Sequence, residues 1–224
     1  LFTISFNLAK KRSTPVNGFE KQELETQGMM SRLFGSKPGH NALVEINNFL
    51  AESTAATELT EEIVSNFIKN WGAKFDSSNI EYRSSMYRKV ADHVYISAVS
   101  KDDPVFEETK HLAQVLELPE KLQRLADNGA KKVAYFSRCR KIISGEEPLT
   151  ISEINNVFGY DYEDGYDIRV QVFHDYLNKK FDEIAEQQRF SPDEETALRE
   201  ICTKLDIPYE FKPNIQNALD KYRY

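Results

Sequence analysis

Cysteine is nearly absent: the 224 residues hold two, Cys139 and Cys202, far apart and outside any Cys-x-x-Cys pair or histidine cluster. That excludes a disulfide framework and makes a reducing cytoplasm the simplest home. Long apolar runs are lacking, and none approaches the ~20 residues that a membrane-spanning helix requires. Cationic excess is lacking too. Lys and Arg total 29 against 36 Asp and Glu, a net charge of −7, which opposes attraction to phosphate backbones and anionic lipid, so no nucleic-acid partner is expected. Of four histidines, His40 lies in a Gly-Pro loop and His93, His111 and His174 fall on separate predicted helices. None has His-x-x-x-His spacing or a His-Glu-x-x-His motif, so none reads as a zinc ligand or an acid–base pair. A phosphate-cradling glycine loop and a nucleophile elbow are also missing. No catalytic, cofactor-binding or metal residue is assigned, and the chain is read as no enzyme.

What is present is a helical pattern. Hydrophobic residues make up 40% of the chain, ample for real cores, and charges of both signs alternate as on solvated helix faces. From Asn41 onward nearly every segment has helical period. Thr60 precedes Glu61 and Glu62, and Ile63, Phe67, Trp71 and Phe75 then recur every four residues, one amphipathic helix with an aromatic face. The lone tryptophan on that stripe reads as core. Met86, Val90 and Val94 mark the next helix. Asp103-Pro104 supplies a cap and a first-position proline for another, lined by Val105, Leu112 and Leu116 and broken at Leu118-Pro119. Leu122 and Leu125 begin a short helix ending at Asn128-Gly129. Val133, Phe136, Ile142 and Ile143 carry a further one, before a break over Gly145 to Pro148.

Thr150 and Glu153 have capping-box spacing ahead of Ile154, Val157 and Phe158, closed by Gly159. The longest pattern, Ile168, Val172, Tyr176, Phe181, Ile184 and Ala185, predicts a helix of about 20 residues. Ser191-Pro192-Asp193-Glu194 combines cap, proline and reciprocal glutamate, the clearest local signal in the chain. Leu198, Ile201, Cys202 and Leu205 form the buried stripe that follows, so Cys202 reads as a small core hydrophobe. Ile207-Pro208 ends it, and Ile215, Leu219 and Tyr222 begin the final helix. Between Tyr160 and Asp167 the acids Asp161, Glu163, Asp164 and Asp167 surround Gly165. With Gly165 at the turn of an EF-hand loop, ligand positions fall on Tyr160, Tyr162 and Gln171, so the loop reads as a cap for the following helix.

Leu112, Ala113, Leu116, Leu118 and Pro119 align without gaps on Ile201, Cys202, Leu205, Ile207 and Pro208. Glu107-Glu108-Thr109 resembles Glu194-Glu195-Thr196 across a two-residue gap, and Tyr135 falls opposite Tyr222. The expectation is an all-α fold of two related multi-helix modules packed together, residues 41–148 and 149–224, the second cut short at its C-terminus. Residues 1–40 are set apart as an extension or leader. Phe2, Ile4, Phe6 and Leu8 alternate with polar residues as in a short strand, before the basic trio Lys10-Lys11-Arg12. The chain begins at Leu1, and residues 29–39 look like a natural protein start, which would make residues 1–28 a leader, a linker or an added sequence.

Phe181-Asp-Glu-Ile-Ala185, Phe190-Ser-Pro-Asp-Glu-Glu195 and Leu198-x-x-Ile-Cys-x-x-Leu205 together resemble the helical repeat of bacterial tellurite-resistance (TerB-like) domains. The likeness covers Phe181 to Tyr224, and Tyr87 to Tyr135 less closely. That family's acidic turn falls here at Gln187 to Phe190, where no carboxylate stands. The resemblance implies an all-helical, cytoplasmic, stress- or envelope-associated accessory protein without catalysis. The leading expectation is a non-catalytic interaction module whose partner is another protein or a fused neighbouring domain. The competing one is a hydrolase-like enzyme with a dispersed carboxylate site.

Overall fold

The computed structural model describes residues 18–26, 38–211 and 213–223. The strand expected over residues 2–8, the basic trio and most of the start-like stretch lie outside them. The fold is all-α. Among the described residues nine α-helices form: α1 His40–Glu52, α2 Glu61–Trp71, α3 Ile80–Ser97, α4 Phe106–Val115, α5 Glu120–Ser144, α6 Ile151–Phe158, α7 Tyr166–Gln187, α8 Pro192–Lys204 and α9 Pro213–Tyr222. The one strand-like feature among the described residues is an isolated bridge between Phe190 and Arg223. No helix among these residues is long and apolar enough to cross a membrane.

The caps read from sequence form as hydrogen bonds. Thr60 accepts from Ile63 N–H, and Thr150 and Ser191 close reciprocal boxes with Glu153 and Glu194. Other boundaries differ. Helix α2 stops at Gly72, which takes the left-handed conformation (φ 61°) open to glycine, so Phe75 lies beyond it and Trp71 is only half-buried. Helix α4 begins at Phe106, two residues after Pro104, because Pro104 C=O closes a turn on Glu107 N–H first. The two helices expected around Asn128-Gly129 are one, α5. A glycine can interrupt a helix, but here it also makes room: a methyl group at Gly129 would stand 2.0 Å from Arg88 Nη1, whose Nε is paired with Asp92 at 2.6 Å.

The chain divides into two units, residues 1–97 with 104–130, and residues 98–103 with 131–224. The boundary thus falls inside α5. Residues 131–148, assigned from sequence to the first module, pack with the second, because Ala134, Tyr135, Cys139 and Ile142 are buried there. Residues 18–26, set apart from the fold on sequence, belong to the first.

Each unit follows one succession. A threonine-capped helix (α2; α6) ends in a left-handed glycine, Gly72 or Gly159. Three residues later stands an aromatic ring, Phe75 or Tyr162. The next helix (α3; α7) carries a buried arginine, Arg83 or Arg169, whose guanidinium carbon lies 4.5 Å from that ring's centre in both cases. Then comes a shorter helix (α4; α8) ending in a left-handed acid, Glu117 (φ 48°) or Asp206 (φ 53°), with the same pair of closing backbone bonds, Glu117 to Gln114 and Leu118 to Ala113 matching Asp206 to Thr203 and Ile207 to Cys202. A proline follows each turn: Pro119 directly precedes the segment 120–130, whereas Pro208 stands five residues before α9, which begins at Pro213. In this register Tyr222 matches the end of the first unit's last segment, whereas Tyr135 sits in the first helical segment of the second unit.

The arginines hold these pieces. Arg83 donates from Nε to Asn79 Oδ1 at 2.9 Å, from Nη1 to the carbonyls of Leu116 and Glu117 at 2.6 and 3.1 Å, and from Nη2 to Asp76 C=O at 2.9 Å. It thereby satisfies carbonyls that the end of α4 leaves free. Arg169, with no exposure, donates to Tyr135 Oη at 3.0 Å and to Tyr162 C=O at 3.1 Å, and the Tyr135 hydroxyl in turn donates to Asn155 Oδ1 at 2.7 Å. Lysine offers neither the flat face nor the forked donors, so Arg83→Lys and Arg169→Lys should each lose about 2 kcal/mol or more of unfolding free energy in urea melts. A second expectation concerns two glycines. A methyl group at Gly165 would meet the buried Tyr135 ring at 2.4–2.8 Å, so Gly165→Ala should cost about 1–3 kcal/mol by overpacking. Gly129→Ala meets only the movable end of Arg88 and should cost less, being offset by about 1 kcal/mol of helix propensity.

Candidate peptide-binding groove

Helix α1, His-Asn-Ala-Leu-Val-Glu-Ile-Asn-Asn-Phe-Leu-Ala-Glu, is apolar on its inner side, where Leu43, Val44, Ile46 and Leu50 are buried. It also buries two asparagines, Asn41 at 0% and Asn47 at 1% exposure. Asparagine is a poor helix former whose buried amide needs partners, and here an extended segment supplies them. Asn48 accepts from Gln22 N–H at 2.7 Å and donates back to Gln22 C=O at 2.8 Å. Asn41 treats Glu25 identically, at 2.8 and 3.0 Å. Asn47 donates to Glu20 C=O at 2.7 Å. The register is set by geometry. Asn41 and Asn48 are two helical turns apart, roughly 10.5 Å, and the three-residue step from Gln22 to Glu25 spans about 10 Å of extended chain.

Helix α3 forms the other wall. Tyr82 donates its hydroxyl to Gln22 Oε1 at 2.7 Å, and burial holds its pKa above the ordinary tyrosine value. Phe19 is the anchor of the segment, 2% exposed, with Lys89 Nζ 4.9 Å from its ring centre. Every other residue of the segment has its side chain exposed. The ion pair of Lys21 with Glu52 sits in solvent and adds little. The groove therefore grips main chain plus one aromatic side chain, a mode that places few demands on sequence. No motif foretells this. The available signal was the three asparagines of α1, out of place beside the apolar face of an amphipathic helix and matched to polar backbone only once residues 18–26 fold beside it.

The residues weighed from sequence are scattered. His111 Nε2 lies 2.8 Å from Leu59 C=O. His40 is set edge-on to Tyr82, and His174 to Phe173. Asp161 and Asp164 each accept the other's backbone N–H, and Tyr162 C=O in the same loop is taken by Arg169. Among the described residues no three His, Cys, Asp or Glu side chains come together as a cation's ligands would. A cavity of about 590 Å³ in the second unit opens beside Glu147, Thr150, Ser152, Thr203 and Lys204. Its polar groups hold structure: Glu147 lies 3.3 Å from the buried Arg138, Thr150 caps α6, and Thr203 donates to Arg199 C=O.

Cys139 and Cys202 are buried, and burial pushes their thiols up to about 12 and about 11. Thiolate is the reactive form. At pH 8 the folded chain should react with neither equivalent of a thiol-specific chromogen, and with both after denaturation. Rapid labelling of either cysteine in the folded protein would contradict this packing.

Comparison of the chain with protein-family profiles, with curated proteins and with solved structures gave no match.

Proposed function

We propose that this chain is a non-catalytic helical interaction protein whose α1–α3 groove takes extended polypeptide, with residues 18–26 as its intramolecular occupant. The observation that carries the reading is the double pairing of Asn41 and Asn48 with the main chain of Glu25 and Gln22. A side-chain amide that uses both its acceptor and its donor on one residue's backbone recognises an extended chain as such, and Phe19 adds an anchor. Tethering gives the occupant an effective concentration in the millimolar range, so a partner segment, from another protein or a fused neighbouring domain, engages the groove by displacing it. The TerB-like resemblance of residues 181–224 fits the same reading, an accessory protein of a cytoplasmic stress or envelope system. Two buried, unpaired cysteines support a reducing compartment.

The test uses the full chain carrying Phe19→Ala, which loosens the tethered segment, and a fluorescent peptide of residues 18–26 in which the exposed Glu20, Glu23 and Glu25 are replaced by Gln. This groove grips main chain and the aromatic anchor, and a cationic surface elsewhere on the chain then has no acid to attract. The peptide should bind saturably, and adding Asn41→Ala and Asn48→Ala should weaken that binding at least tenfold, since each lost pair is worth about 1 kcal/mol or more. Equal affinity with and without the asparagines would overturn the reading.

A further inference from the structure

The second unit has a groove in the place where the first seats Phe19. In the shared succession Arg169 stands for Arg83, so Val172, Asp175, Tyr176 and Lys179 of α7 stand for Met86, Lys89, Val90 and His93 of α3. By its burial pattern the 131–144 part of α5 stands for α1, with Tyr135, Cys139 and Ile142 matching Leu43, Asn47 and Leu50, and Arg140 and Ser144 matching Asn48 and Glu52. Arg140, Ile143, Ser144, Val172, Asp175, Tyr176 and Lys179 together line an open groove of about 270 Å³. That is below the ~300 Å³ at which small-molecule pockets begin; it suits a single anchoring side chain.

Resting on the peptide-binding reading of the first unit, we infer that this α5–α7 groove binds a partner's extended, acidic segment through one aromatic anchor. The anchor follows from the match with Phe19. The charge of the occupant follows from the rim: Arg140 and Lys179 are exposed, and neither forms an ion pair among the described residues. Against them stands the single carboxylate of Asp175. On a chain of net charge −7 this local cationic rim selects an acidic ligand by electrostatic complementarity. The paired asparagines are replaced here. Val133 stands at the place of Asn41 and is 53% exposed, and Arg140 at the place of Asn48 offers only donors. The second groove therefore reads charge and the anchor, where the first reads the main chain. Residues 18–26 have the required chemistry themselves, Phe19 followed by Glu20, Glu23 and Glu25, and so provide the probe.

The experiment is fluorescence anisotropy of a labelled 18–26 peptide with the wild-type full chain, whose first groove holds its own segment. Saturable binding is expected. It should weaken at least tenfold with the surface variant Arg140→Glu/Lys179→Glu, and likewise with Ile143→Glu, with folding of each checked by circular dichroism. It should also weaken when Phe19 of the peptide is replaced by Ala, and remain when Asn41→Ala and Asn48→Ala are introduced. Wild-type binding that the second-unit variants leave unchanged overturns this inference. No wild-type binding, with binding gained by Phe19→Ala and lost again with the asparagine variants, overturns it too and leaves the first groove's reading standing. No binding by any chain removes both. Self-association of the wild-type chain that Phe19→Ala abolishes would assign the occupant to a second copy and overturn the partner assignment.

Discussion

A buried guanidinium stacked on an aromatic ring is the interaction around which each unit is assembled. Burying a cation is costly unless its donors are met. Arg83 meets its own with backbone carbonyls and Asn79, and Arg169 uses both Nη groups on Tyr135 and Tyr162 while its Nε stays without a partner. That requirement dictates much else. The glycine turn before Phe75 or Tyr162 must bring the ring under the arginine. In the first unit the left-handed end of α4 must present its free carbonyls to Arg83. In the second, Gly165 must lack a side chain so that Tyr135 can reach Arg169. A guanidinium has five donors in one plane and two apolar faces, and each unit uses both properties.

With the arginine fixed, α3 and α7 present corresponding positions, filled by different residues, to the helical segment that opens each unit, and a groove results. What each groove can hold is then decided by a few side chains on its walls. Asparagines at 41, 47 and 48 pair the first with the main chain of residues 20, 22 and 25, while Arg140 and Lys179 give the second a cationic rim. Segment 18–26 has no secondary structure and a single buried side chain, yet it belongs to the first unit, because the buried amides of α1 would otherwise lack their partners.

The helical pattern was legible in the sequence because caps and periodicity act within a few residues. Ser191 with Glu194 and Thr150 with Glu153 form the bonds their spacing implies, and the repeat of Leu112 to Pro119 in Ile201 to Pro208 extends to matching left-handed turns at Glu117 and Asp206. The misreadings have a common origin. Gly129 looks like a stop, but α5 continues through it, and its missing side chain leaves room for Arg88. Pro104 looks like a first helical residue, but it closes a turn. The set-apart stretch before His40 looks detachable because it has no period, and an extended peptide held by side-chain amides has none to show.

The sequence by itself determined the all-helical class, most of the caps and the existence of a repeated plan, since these follow from local hydrogen bonding and from the spacing of apolar residues along one chain. Tertiary structure alone decided where one unit ends inside α5, which arginines are buried, and which part of the chain lies in the α1–α3 groove. The physical reason is that those outcomes depend on donors and acceptors far apart in sequence, such as Asn48 with Gln22 or Arg83 with Leu116, whose partnership carries no local pattern until the helices are packed.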